Sequence, residues 1–140
     1  MTTHLEIRQT SQSKAMTWIG RVLSALPILF IGAGAVYAFS HPEDVQKDFA
    51  KYAFPEGFMN KVLIIEAICL LLYVIPQTAV LGAILLTGYL GGAVITHARV
   101  GEPNWIVPII VGIVFWLGLW FRDPRVRALT PIRRSVTYGE

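Results

Sequence analysis

The residues Val80 to Arg99, VLGAILLTGYLGGAVITHAR, decide the fold class of this chain. The run is apolar in its first half, gathers glycines in its second half, and ends on His97 and Arg99. A helix needs about 20 mostly apolar residues to cross the hydrocarbon core of a bilayer. The stretch therefore predicts a membrane-spanning helix that carries polar side chains at one end.

The composition of the whole chain agrees with a membrane protein. Of its 140 residues, 54% are hydrophobic and 15% are charged, whereas a soluble domain has about 25% charged residues. The length suits one domain. Cys69 is the single cysteine, so an internal disulfide and a C-x-x-C redox or zinc motif are both excluded. Nothing in the sequence indicates a nucleic-acid partner, and the lipid bilayer is the expected one.

Four apolar runs predict an all-α integral membrane bundle of four transmembrane helices. A polar N-terminal tail (1–15) and a basic C-terminal tail (122–140) flank this transmembrane domain (16–121). The expected spans cover about 16–39, 58–75, 79–96 and 105–121. Between the first two spans, His41-Pro42-Glu43-Asp44 predicts the start of a short helix. That segment is either amphipathic and lies on the membrane surface, or is a solvated loop.

The first span competes with a signal peptide, because Val36-Tyr37-Ala38 resembles a cleavage site. The apolar run is longer than a signal peptide requires, and three further spans follow it, so we expect an uncleaved helix. Lys and Arg near the spans number eight on the side of the two termini and four on the other side. The positive-inside rule then predicts that both termini are cytoplasmic.

Glu66 is the sharpest polar signal, since a carboxylate inside a span is costly unless it is paired, protonated or facing a cavity. The predicted topology places Glu66 about 9 Å into the outer half of the bundle, on the same side as His97 and Arg99. We therefore expect these three to line a ligand pocket, with Tyr89 and Trp105 beside the ligand. The alternative is that Glu66 only ties helices together. A weaker hypothesis is a metal site formed by His41, Glu66 and His97.

Small residues on the third span predict close helix contacts. Gly88 and Gly92 form a G-x-x-x-G pattern, with Thr87 and Gly91 beside them. Such patterns let helix backbones approach one another. We expect packing inside the bundle, and a homodimer face is the alternative. We expect the arginines of the C-terminal tail to orient the protein in the membrane, to contact anionic lipid, or to do both.

The run IPQTAVLGAILLTGYLGGA, residues 75–93, followed by Thr96-His97 and Arg99, resembles the DoxX-like family of small four-helix bacterial membrane proteins. The resemblance covers about residues 25–124. It departs from the family pattern at Gln77, where we expect arginine. The resemblance implies a multi-pass protein of the bacterial plasma (inner) membrane and a quinone-linked or redox-associated subunit. It also implies no particular activity, because most members of the family have none established. The positions carried over are Glu66, Thr87, Gly88, Tyr89, Gly91, Gly92, His97 and Arg99.

The functional hypothesis is therefore a membrane subunit that binds a quinone or another small amphipathic molecule, in contact with a membrane redox partner or with further copies of itself. The alternative is a non-catalytic scaffold, an oligomer-forming subunit or a small solute pathway. The sequence does not decide whether the protein is an enzyme.

Overall fold

The computed structural model describes residues 13–129, so most of the two predicted terminal tails lies outside it. Over this range the chain is all-α, as predicted, and contains no strand. A 3₁₀ turn at Pro103–Trp105 leads into the fifth helix. The helices are α1 Lys14–Ser40, α2 Pro42–Lys51, α3 Phe58–Val74, α4 Ala79–Arg99, α5 Ile106–Arg122 and α6 Pro124–Leu129.

Three segments are long and apolar enough to cross a membrane: Lys14–Ser40, Ala79–Arg99 and Pro103–Arg122. The remaining predicted span corresponds to α3, which has 17 residues. At 1.5 Å per residue it is about 25 Å long, at the short limit for a crossing. Large apolar side chains such as Leu29, Phe39 and Ile95 point away from the bundle and are exposed. In water such a surface would aggregate, so it indicates a lipid environment.

Tyr73 joins three of the four long helices. Its ring is fully buried and meets the Phe115 ring of α5 edge to face, with 4.7 Å between centroids. Its hydroxyl donates to the Phe115 carbonyl oxygen at 2.8 Å and shares a 3.0 Å hydrogen bond with the Ser24 hydroxyl of α1. Arg122 donates to the Tyr73 carbonyl oxygen at 2.7 Å. This Tyr73 layer, made of Ser24, Tyr73, Phe115 and Arg122, fixes α1, α3 and α5 at the end of the bundle that carries α6.

Glycines allow the closest crossings in the same region. A Cβ on Gly82 would lie 2.3 Å from the Tyr73 backbone nitrogen, so only glycine lets α4 approach α3 this closely. A Cβ on Gly118 would lie 2.7 Å from the Ser24 backbone nitrogen, which brings α5 against α1 in the same way. Helices in lipid associate through such backbone contacts and hydrogen bonds.

The prediction that Gly88, Gly91 and Gly92 pack inside the bundle is wrong. All three are exposed, and a Cβ on any of them would meet nothing within 4 Å. They lie on the outward face of α4, whereas Gly82, about two to three turns earlier, lies on the buried face. Thr87 does reach a neighbouring helix, because its hydroxyl accepts a 2.9 Å hydrogen bond from the Trp116 indole of α5.

Two short helices lie outside the four long ones. α2 begins at Pro42 with Glu43 and Asp44 in its first turn, which confirms the predicted helix start. α6 occupies part of the predicted C-terminal tail, and its Val126 is buried. We refer to the two ends of the bundle as the α2 end and the α6 end.

Alanine substitutions on α4 test these glycine assignments. We expect Gly82→Ala to destabilise the fold by about 1–3 kcal/mol, because the new methyl group clashes with backbone that cannot move aside. The matched control Gly88→Ala adds the same group in open space and should leave stability unchanged or raise it by up to about 1 kcal/mol through helix propensity. Unfolding of the purified variants in mixed micelles measures both. Equal losses of stability would contradict the assignment.

Candidate functional site

An open cavity of about 740 Å³ lies in the α2 half of the bundle, lined by residues of α1, α3, α4 and α5. Two of its lining side chains, Phe30 and Tyr37, are themselves exposed. Val45 and Phe49 of α2 line the cavity at the α2 end of the bundle. Most of its surface is apolar, as in sites for small organic ligands. The polar side chains along its walls are those of Tyr37, Glu66, Tyr89, His97 and Asn104.

Glu66 and Tyr89 form a pair in the wall of this cavity. Glu66 is 7% exposed, and the Tyr89 hydroxyl donates a hydrogen bond to its Oε2. The pair joins α3 to α4. One hydrogen bond leaves further lone pairs on the carboxyl group, so Glu66 can take part in another hydrogen bond on the cavity side.

The Tyr73 layer limits the cavity at its inner side. Tyr73 follows Glu66 by seven residues on the same buried face of α3, which is about 10 Å along the helix. The residues that line the cavity all lie on the α2 side of that layer. The cavity therefore extends from Glu66 toward the α2 end.

A second polar group closes the α2 end, and we call it the Glu102 cluster: Lys51, Tyr52, His97 and Glu102. Glu102 Oε2 accepts a hydrogen bond from the Tyr52 hydroxyl at 2.8 Å and lies 2.8 Å from His97 Nδ1. Its other oxygen pairs with the Lys51 ammonium group. The cluster thus holds the end of α2 against the α4–α5 connection.

These contacts shift the pKa values of three residues in the Glu102 cluster. The hydrogen bond from Lys51, followed by those from His97 and Tyr52, lowers the pKa of Glu102 to about 2. Burial, together with the hydrogen bond to Glu102, raises the pKa of Tyr52 to about 12. The hydrogen bond to Glu102 also raises the pKa of Lys51. Near neutral pH the cluster therefore contains an ionised carboxylate and a neutral phenol.

The structure brings together only part of the predicted site. Glu66, Tyr89 and His97 line one cavity, and their binding role stays a prediction. Arg99 does not reach Glu66 as expected, because it donates to the Tyr52 carbonyl oxygen instead. Neither Arg99 nor Trp105 is among the residues that line the cavity.

The hypothesis of a metal site formed by His41, Glu66 and His97 is wrong. His41 stacks on Tyr37, with ring centroids 4.6 Å apart, while His97 faces Glu102. Within residues 13–129, no three His, Cys, Asp or Glu side chains lie close enough together to hold a metal ion.

Lys51, Tyr52 and Glu102 were not predicted from the sequence as residues of the site. A usable signal was present, since the predicted topology placed the acidic Glu102 and the basic Lys51 on the same side of the membrane in two separate connections. Contact between the connections depends on the packing of α2, which no local pattern specifies.

The long apolar helices and the outward apolar side chains define an α-helical membrane protein. A family model described as the DoxX-like family matches residues 22–118. The chain therefore belongs to the DoxX-like family. No curated protein matches the chain, and no solved structure matches it.

The Glu102 cluster predicts a pH dependence of stability. Since the pKa of Glu102 is about 2 in the folded protein, its ionised form stabilises the fold. That contribution is fully present above the ordinary value of 4.5 and is lost as the pH falls through about 2. The melting temperature of the wild type should therefore exceed that of Glu102→Gln by a constant amount near neutral pH. The difference should shrink between pH 4.5 and pH 2.

Lys51→Gln provides the matched test of the cause. Because Lys51 contributes the largest lowering of the pKa of Glu102, this variant should lose stability at a higher pH than the wild type does. Parallel pH profiles for the wild type and Glu102→Gln would contradict the assignment.

Proposed function

We propose that this DoxX-like protein crosses the bacterial plasma membrane four times and binds a small amphipathic molecule, such as a quinone, in its central cavity. The single observation that supports the binding role is the Glu66–Tyr89 pair in the wall of an otherwise apolar cavity. A titratable group inside a membrane-spanning bundle is costly and is most often functional.

In this proposal α3 also crosses the membrane, as the second of four spans in chain order. Its 17 residues are enough for a crossing at the lower limit of about 17. Its partner α4 is long enough to cross, and the two helices are joined by the short Ile75–Thr78 connection. Four crossings place both termini on one side of the membrane. The positive-inside rule then assigns the α6 end, with Arg122, Arg125 and Arg127, to the cytoplasm.

The chemistry of the cavity suits a ligand with a carbonyl or hydroxyl group on an apolar body. Glu66 and Tyr89 offer hydrogen-bonding groups at one depth, and His97 lies eight residues after Tyr89, about 12 Å nearer the α2 end. A ring carbonyl at Glu66 and Tyr89 would leave the apolar part of the ligand against α1 and α5. Any redox role would need a bound cofactor, a quinone or the thiols of a partner, because the sequence has one cysteine and no cysteine pair.

A scaffold or oligomer-forming subunit is the competing function. It is favoured by Gly88 and Gly92, which lie exposed on α4 with open space around them. In that case the Glu66–Tyr89 pair would serve only to tie α3 to α4.

Conservative variants of the pair distinguish the two functions. We expect the purified wild type to bind a short-chain quinone analogue, and Glu66→Gln to weaken that binding about tenfold, the equivalent of about 1.4 kcal/mol. Tyr89→Phe should have a similar effect, because it removes the hydroxyl and keeps the ring. Quenching of intrinsic tryptophan fluorescence measures the affinity, and Glu56→Gln, an exposed loop carboxylate, is the control.

A scaffold function predicts a different outcome. The wild type would show no saturable binding of quinone analogues, and Glu66→Gln would lower thermal stability. Binding that is equal in wild type, Glu66→Gln and Tyr89→Phe would contradict the proposed site.

A further inference from the structure

A second concave surface lies on the outside of the bundle, between α4 and α5. This groove has a volume of about 670 Å³, and none of its lining residues is charged. Its floor contains Gly91 and Gly112, and its wall at the α6 end contains Trp116 and Trp120. The polar side chains along the groove are those of Thr87, Trp116 and Trp120. The Trp116 indole donates a hydrogen bond to the Thr87 hydroxyl.

The dimensions of the groove suit a single acyl chain. Along α5 it extends from Pro108 to Trp120, twelve residues or about 18 Å. One leaflet of the hydrocarbon core is about 15 Å thick, half of the total of about 30 Å. The groove lies on two helices long enough to cross the membrane, and its Ile109, Ile113 and Leu117 side chains are exposed, so lipid chains are the molecules that reach it.

The α6 end of the groove is positively charged. The Arg127 guanidinium lies 5.7 Å from the centre of the Trp120 ring, which itself lines the groove. A guanidinium carries five N–H donors, and one of those on Arg127 points to the Met16 sulfur at 3.8 Å. Arg125 is exposed on the same short helix. Arg127 thus lies where the headgroup of a lipid in the groove would be, and Arg125 adds a second positive charge on the same helix.

We propose that the α4–α5 groove is a binding site for an anionic phospholipid, with one acyl chain against Gly91 and Gly112 and the phosphate held by Arg125 and Arg127. Arginine binds phosphate oxygens through paired N–H donors, and basic residues next to a span attract anionic lipid. The groove shares only Leu90 and Pro108 with the cavity beside Glu66, and this proposal does not depend on the proposed function.

The charge distribution favours a lipid over a second copy of the chain as the occupant. A symmetric dimer through this groove would bring Arg125 and Arg127 of one copy near the same arginines of the other, whereas an anionic headgroup complements them. Gly91 has open space around it and does not pack inside the bundle. Contact with an acyl chain gives this exposed glycine a role.

Native mass spectrometry of the full-length protein tests the proposal, with phosphatidylglycerol and phosphatidylcholine that carry identical acyl chains. The wild type should bind its first phosphatidylglycerol about tenfold more tightly than its first phosphatidylcholine. Arg125→Gln combined with Arg127→Gln should remove that preference. Lys61→Gln, which removes an exposed charge at the α2 end, should leave it intact.

A matched pair of glycine variants tests the position of the acyl chain. Gly91→Leu fills the groove without a clash, since a Cβ there meets nothing within 4 Å, and should weaken the binding of both lipids about tenfold. Gly88→Leu adds the same side chain in equally open space, at a position that does not line the groove, and should have no effect.

Three results would overturn the proposal. The first is that the wild type binds the two lipids equally, the second is that the two glycine variants behave alike, and the third is that a second copy occupies the groove. In the last case Gly91→Leu converts a dimer into a monomer and lipid preference is unchanged.

Discussion

The rest of the structure depends on the burial of Tyr73 between α1, α3 and α5. In lipid the hydrophobic effect does not drive helices together, so backbone contact and interhelical hydrogen bonds have to do so. The Tyr73 hydroxyl, bonded to Ser24 and to the Phe115 carbonyl oxygen, provides the hydrogen bonds. Gly82 and Gly118 provide the close backbone contacts. Both kinds of contact concentrate in the α6 half of the bundle.

The α2 half is built differently, and this difference creates the cavity. There the helices are joined by two polar contacts at different depths, the Glu66–Tyr89 pair and the Glu102 cluster, with open space between them. The inner pair connects α3 to α4, while the outer cluster holds the end of α2 across the opening. The bundle thus has a tightly packed half and a half that contains an open cavity, the arrangement that the proposed binding role needs.

Much of the fold could be predicted from the sequence, because span length and apolar composition are local properties. The predicted spans 79–96 and 105–121 match α4 and α5 closely, and the buried face of Glu66, Cys69 and Tyr73 follows from helical periodicity. The pairing of Glu66 with Tyr89 rather than Arg99, and the outward position of Gly88 and Gly92, could not be predicted. Both depend on how α4 is rotated about its axis, and a helix with small residues on several faces does not specify that rotation.

The central claim is that the space beside Glu66 and Tyr89 is a binding site rather than a packing defect. The most direct measurement is an experimental structure of the protein in a lipid nanodisc prepared without detergent, so that native small molecules are retained. If this space is a binding site, density for an amphipathic molecule should lie within hydrogen-bonding distance of Glu66 or Tyr89. A collapsed cavity, with Glu66 bonded directly to Arg99 and no room for a ligand, would contradict it.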